Sequence, residues 1–236
     1  MTTRDVRAPG LAAPAGLLAD ETRAACLPAL LDGRAWTAGE PARHAGVAPS
    51  TLSERLGKLV AGGLLAEERQ GRHRYVRLAG PRTAQLVEDL VAQVGPDTGP
   101  APRTLRAATA GSAMARGRTC YDHLAGRLGI AVTDALTARG LLCQDTGFAL
   151  TGPGLRWFAS TGIPLDRASR RPLARACLDW TERRPHLAGV AGAALCRHAL
   201  DTGWCVRIGS ERAVKVTAAG SRALDELLGI DAAALR

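Results

Sequence analysis

The second half of this 236-residue chain is written twice. Cys120-Tyr-Asp-His123-Leu-Ala-Gly126 is echoed by Cys177-Leu-Asp-Trp180 and, after an insertion, by Leu187-Ala-Gly189. The echo continues in order, pairing Gly129 with Gly192, Gly140-Leu-Leu142 with Gly203-Trp-Cys205, and Leu150-Thr151 and Gly154 with Val216-Thr217 and Gly220. Each copy closes on Gly-Ile, at Gly162-Ile163 and Gly229-Ile230. A repeat of this kind constrains the fold strongly, because each copy is one supersecondary unit that buries its apolar face against its neighbour. The copies, about 118–163 and 175–230, each read as helix, strand, helix. They predict a domain of two winged-helix-like units over 104–236.

Composition says what such units are packed from. Aromatic residues are 3% of the chain against 46% hydrophobic residues overall, so the core is aliphatic and built on helices. The predicted class is mainly α with small β wings (α+β). The formal charge of +9 suits a polyanionic partner, because Lys and Arg that neutralise phosphates release condensed counterions. Basic residues are spread along the whole chain, however, so their position has to decide. There is no apolar run of about 18 residues, and MTTRDVRAPG lacks a signal-peptide core, which predicts a cytoplasmic protein with no membrane partner. Six cysteines without a CxxC pair read as thiols rather than as a secreted disulfide framework.

The first half has a different rhythm. Residues 11–32 carry a helical stripe through Ala24, Leu27, Leu30 and Leu31, with Asp20 placed to cap its second part and Gly33 to stop it. A short helix over 37–44, a break at Gly46 and a second helix over 49–61 give helix-turn-helix spacing. Residues 64–68 and 73–78 then pair as strands around Gln70 and Gly71. A helix over 81–94 aligns Leu86, Leu90 and Val94 on one face as a dimerisation element. Proline and glycine in 95–103 mark a linker, so the first domain is 11–94.

An α-helix fits the DNA major groove, and short polar side chains near its N-terminus reach base edges without clashing. In APSTLSERLGK, Leu52, Leu56 and Leu59 turn to the core, leaving Ser50, Thr51, Ser53, Glu54, Arg55 and Lys58 toward the other face. Ser50, Thr51 and Arg55 are the candidates for base or groove contact, with Ser53 beside them and Lys58 on phosphate. Arg69, Arg72, His73 and Arg74 surround Gly71 at the hairpin tip, a composition suited to phosphate or the minor groove. Either feature alone describes an ordinary solvated surface. Their succession points to double-stranded operator DNA.

On LADETRAACLPALLDG, HAGVAPSTLSERLGKLVAGGLL and QGRHRYVRL, residues 18–78 resemble the ArsR/SmtB family of winged helix-turn-helix repressors. The resemblance implies a homodimer that binds a palindromic operator and releases it when an effector binds. It also implies where metal ligands are expected: a cysteine pair in the first helix of the helix-turn-helix, or histidines and carboxylates in the helix after the wing. The chain departs from both patterns. Ala35 to His44 has no cysteine, and 81–94 offers only Glu88 and Asp89. The repeated half resembles an extended subgroup of that family.

Candidate ligands lie in that half. Cys120 and His123 share a helical face by i,i+3 spacing, and the second copy supplies Cys177, Asp179, Glu182 and His186. Thiolate with imidazole suits zinc, copper or another thiophilic metal, and carboxylate would extend the choice. If the copies pack about a pseudo-twofold axis, Cys120 and Cys177 converge on a metal or within disulfide range. Equally, the cysteines read as small buried hydrophobes, and Asp122 and Asp179 as caps of the helices that follow. Cys26, Cys143, Cys196 and Cys205 read as core. The arginines at 167, 170, 171, 175, 183 and 184 suit an anionic small molecule or more DNA.

Some methyltransferases also place a winged helix before a catalytic domain, but that domain needs a glycine-rich loop after a first strand. Gly111-Ser-Ala-Met-Ala-Arg-Gly117 is the nearest match, and it follows no strand signal. The expectation is a regulator and not an enzyme, the alternatives being such a methyltransferase-like enzyme and a DNA-binding protein with no effector.

Overall fold

The computed structural model describes residues 5–37, 39–71, 73–94, 105–145, 147–209, 212–231 and 235. The expected linker 95–103 and Arg72 lie outside the described residues. Mainly helical, with short antiparallel strands, the chain divides into two compact units between Glu88 and Asp89.

In the N-terminal unit the expected stripe over 11–32 is two helices, α1 (Ala8–Leu18) and α2 (Glu21–Ala29), followed by a single 3-10 turn at Leu30–Asp32. The break is made at Asp20, whose extended backbone and side-chain bond from the Arg23 N–H (3.0 Å) start α2 afresh. Arg23 then turns back to donate to the Leu17 and Gly16 carbonyls at 2.7 and 3.0 Å, satisfying the end of α1. Gly33 closes the segment with φ 77°, which a side chain would strain.

Helices α3 (Gly39–Ala45) and α4 (Pro49–Ala61) form the helix-turn-helix. Strands β2 (Leu65–Gln70) and β3 (His73–Leu78) form the wing. A third strand, β1 (Trp36–Thr37), pairs with β3 and was not expected from the sequence; the sheet order is β1-β3-β2. Leu52, Leu56 and Leu59 are fully buried. Helix α5 (Pro81–Gln93) leaves Leu86 and Leu90 exposed, with Val94 just beyond its end.

Beyond the end of α5, the C-terminal unit continues with α6 (Leu105–Arg116), which contains most of the glycine-rich stretch considered above for a nucleotide loop. Two copies of one pattern follow. The first is the hairpin β4 (Arg118–Cys120) and β5 (His123–Ala125), helix α7 (Gly126–Ala138), the hairpin β6 (Leu142–Cys143) and β7 (Ala149–Leu150), and helix α8 (Gly152–Ser160). The second is β8 (Arg175–Leu178) and β9 (Pro185–Ala188), α9 (Gly189–Asp201), β10 (Cys205–Arg207) and β11 (Val214–Val216), and α10 (Ala218–Leu228). The expected helix, strand, helix order is therefore present, but each copy begins with a hairpin where a helix was expected. Every ladder between these strands is antiparallel.

The copies agree at atomic detail. Thr151 caps α8 through the Gly154 N–H at 3.0 Å, and Thr217 caps α10 through the Gly220 N–H at 3.0 Å. Both close-approach glycines sit where a Cβ would lie 2.0 Å from a carbonyl, of Leu141 and Trp204 respectively. One aliphatic core draws on both copies, including Leu128, Leu136, Phe158, Leu195, Leu224 and Ile230. The packing is also exchanged: α9 lies on β5 of the first copy, and α7 on β9 of the second.

Candidate functional site: an exposed reading surface and a buried cysteine-histidine tetrad

The polar face of α4 survives folding. Ser50, Thr51, Glu54 and Lys58 are exposed and Ser53 is half-buried. At the wing, Arg69 and His73 are exposed. Two expected contacts are engaged within the unit. Arg55 forms an ion pair with Asp20, the cap of α2, so its guanidinium anchors α4. Arg74 bridges Glu67 (2.7 Å) and the Ser53 hydroxyl (3.1 Å), fixing the wing to the recognition helix. Lys58 pairs with Glu54 at 3.1 Å, a solvated i,i+4 contact.

In the C-terminal unit four of the six candidate ligands converge. Cys120, His123, Cys177 and His186 place one ligand atom each within 4.8 Å of every other. Their exposures are 1, 1, 5 and 0%. The sulfurs are 3.9 Å apart and the two histidine Nε2 atoms 3.1 Å apart. Among the described residues this is the grouping of such side chains able to hold a metal ion.

The local route to it differs from the i,i+3 helical face expected for Cys120 and His123. These residues are direct partners across a tight hairpin, with Tyr121 and Asp122 as the loop. The turn holds Tyr121 at φ 58°. In the second copy Cys177 is likewise opposite His186, across a loop lengthened by the insertion. His123-Leu-Ala-Gly126 and His186-Leu-Ala-Gly189 are the same four residues, so His186 is the true counterpart of His123. That identity was the available signal; aligning Trp180 with His123 hides it.

Close approach of the copies sets the histidines. A Cβ on Gly192 would meet the His123 Cβ at 3.1 Å, and a Cβ on Gly129 would meet the His186 Cβ at 3.8 Å. Each imidazole therefore lies over a glycine in the helix of the other copy.

The remaining two candidates have other work. Asp179 is fully buried and pairs with the equally buried Arg118 at 3.0 Å, while its second oxygen accepts from the Gly126 N–H at 2.7 Å. It thus caps α7 of the first copy rather than the helix after it in sequence. The same Oδ2 lies 3.6 Å from His186 Nδ1, an atom without a hydrogen-bond partner among the described residues. Asp122 occupies the matching place, with Oδ1 3.3 Å from His123 Nδ1. Glu182 is half-buried and meets Asp179 through its backbone N–H at 3.0 Å; it is not part of the tetrad.

Electrostatics separates Cys177 from the cysteines of the aliphatic cores. Burial pushes the Cys196 and Cys205 thiols up to about 12, and the Cys26 thiol up to about 11. Cys177 is held far below the thiol range, chiefly by the hydrogen bond from the Cys120 thiol, with His123 and His186 also outweighing burial. For His123, burial works against the charged ring, but Asp122 and Cys177 overcome it and raise the pKa. Cys143, expected in the core, is only half-buried, because its two-residue strand ends at a hairpin with Asp145 3.7 Å away. Of the arginine-rich insert, Arg171 pairs with Asp122 at 2.6 Å and Arg184 with Asp134 at 2.7 Å.

A winged helix with a polar recognition face, joined in one chain to a separate thiol-imidazole domain, is the build of a transcriptional regulator. A family model described as a helix-turn-helix domain matches residues 18–68. The chain is 37% identical over 225 residues to YdfF of Bacillus subtilis (strain 168), an uncharacterised HTH-type transcriptional regulator, covering 94% of this chain and 98% of that protein. The chain belongs to the HTH-type transcriptional regulators.

Two solved structures are also similar. One is the homodimeric winged helix-turn-helix domain of Mb0332 from Mycobacterium bovis, a possible ArsR-family regulator, at 30% identity over 37% of this chain and 83% of that one, TM-score 0.32. The other is the cadmium sensor CmtR of Mycobacterium tuberculosis, at 32% identity over 39% and 99%, TM-score 0.31. No helix among the described residues is long and apolar enough to cross a membrane.

Proposed function

We propose that this chain represses transcription by docking the N-terminus of α4 in the major groove of operator DNA as a homodimer, and that an effector received by residues 104–236 changes its operator affinity. The carrying observation is the exposed row Ser50, Thr51 and Lys58 on a helix whose opposite side is fully buried, with Arg69 and His73 exposed on the adjoining wing. Short hydroxyl side chains at a helix start suit base edges, and the wing cations suit phosphate. Arg55 and Arg74 serve in this reading as braces that orient the two reading elements. The apolar stripe Leu86, Leu90 and Val94 supplies the second-copy contact. The chain works in the cytoplasm and carries no catalytic step.

The test is fluorescence anisotropy on a duplex selected by the full chain from a random pool, at fixed salt. Ser50→Ala with Thr51→Ala is expected to relax sequence preference, and Arg69→Ala to weaken all duplexes alike. Unchanged preference and affinity in both would count against this docking. Repeating the titration after chelation, and with oxidant and reductant, reads the effector arm: unaltered affinity throughout removes metal and redox control.

A further inference from the structure

Each repeat contributes one cysteine and one histidine, and the four meet where the repeats face each other. We propose that Cys120, His123, Cys177 and His186 bind one thiophilic divalent cation of the zinc type in a closed tetrahedral site that clasps the two repeats together.

The dimensions fit. Zinc bonds of about 2.3 Å to sulfur and 2.0–2.1 Å to nitrogen give tetrahedral edges of ~3.8 Å between sulfurs and ~3.3 Å between nitrogens. The tetrad has 3.9 and 3.1 Å. The chemistry fits as well. Two thiolates and two neutral imidazoles make a complex of zero net charge with a divalent ion, which avoids the cost of burying a net charge in a site exposed by 5% or less. Binding requires both sulfurs as thiolates and both imidazoles neutral, so whatever protons the four side chains hold leave to solvent. A monovalent copper ion would leave a buried negative charge in the same cage.

The surroundings point the same way. Metal-bound histidines commonly give their other ring nitrogen to a carboxylate, which fixes the tautomer. Here the Nε2 atoms face inward, while Nδ1 of His123 lies 3.3 Å from Asp122 and Nδ1 of His186 lies 3.6 Å from Asp179. Those carboxylates are held by Arg171 and Arg118 in turn. The two Nε2 atoms lie 3.1 Å apart, and the buried His186 Nδ1 has no hydrogen-bond partner among the described residues.

This deepens the effector half of the function proposed above, but its test does not need DNA. The full chain, stripped of metal under reducing conditions, is titrated with cobalt(II) and then zinc(II). One equivalent is expected, with the ligand-field bands of a tetrahedral cobalt centre and sulfur charge transfer, both lost when zinc displaces cobalt. Cys120→Ser and Cys177→Ser should abolish stoichiometric binding, and Asp122→Asn should weaken it roughly 10- to 100-fold. Cys143→Ser should change nothing. Should the cysteine variants fail to fold, X-ray absorption of the zinc-loaded wild-type chain decides, two sulfur and two nitrogen neighbours being the expected shell. No stoichiometric uptake by the wild type, full binding in both cysteine variants, or a shell without two sulfurs overturns the site. Failure of DNA docking leaves this titration intact, and loss of the site leaves the sequence preference of α4 intact.

Discussion

The two units put their polar chemistry in opposite places. In the N-terminal unit Ser50, Thr51, Lys58, Arg69 and His73 stand outside a small core, and nothing in that core needs them. In the C-terminal unit Cys120, His123, Cys177, His186, Arg118 and Asp179 are all buried, and each is partnered across the repeat interface. Substitutions on the reading surface should therefore change binding and spare stability. Substitutions in the tetrad and its shell should change stability first, because a buried charge or thiolate that loses its partner cannot turn to water.

Four expectations can break or sharpen that contrast. The largest concerns Asp179→Ala, which removes the carboxylate that balances the fully buried Arg118 guanidinium and uncaps α7. Breaking such a pair costs about 3–5 kcal/mol, read from urea unfolding. A wild-type unfolding curve would end the contrast. Next, Gly220→Ala forces a Cβ to 2.0 Å from the Trp204 carbonyl and should cost about 1–3 kcal/mol. The same change at Gly57 in α4 meets nothing within 4 Å and should stabilise by up to ~1 kcal/mol. Opposite signs for one substitution, measured by thermal melts, would confirm that the repeats are close-packed where α4 is open.

Smaller again are the twin caps. Thr151→Ala and Thr217→Ala should each cost ~1 kcal/mol and match within a few tenths, because their bonds have the same length. A large difference between them would mean that the repeats are not equivalent in energy. The smallest stability effect is expected at Arg69→Ala, within about 0.5 kcal/mol of wild type. Its signature should be in DNA binding, where the slope of log affinity against log salt falls by about 1.

The reading head was legible because its signals are local. Helix α4 was expected over 49–61 and found at Pro49–Ala61, since Leu52, Leu56 and Leu59 mark its buried side and Pro49 starts it. Strand β1 was not legible: two residues carry no period, and only pairing with β3 makes them a strand. The engagement of Arg55 was equally hidden, because Asp20 is far away in sequence. The tetrad was half legible. Its residue types and the repeat were visible, and Cys120 to Cys177 convergence followed from assuming an axis. The hairpin is hidden in the sequence because a separation of three residues fits a helical turn and also the two ends of a two-residue hairpin loop. Asp179 and Glu182 looked as eligible as His186, and their exclusion depended on where the second hairpin directs each side chain.

By itself the sequence determined the winged helix, the duplication, and six residues with ligand chemistry from which the tetrad is drawn, because periodicity, capping and repetition are written in neighbouring positions. The tertiary structure alone decided that the copies exchange packing, so that each histidine rests on a glycine of the other copy and each cysteine meets its counterpart. Contacts between residues more than fifty positions apart leave no local pattern. They exist because one aliphatic core is shared by both repeats, and that burial brings the two hairpins together.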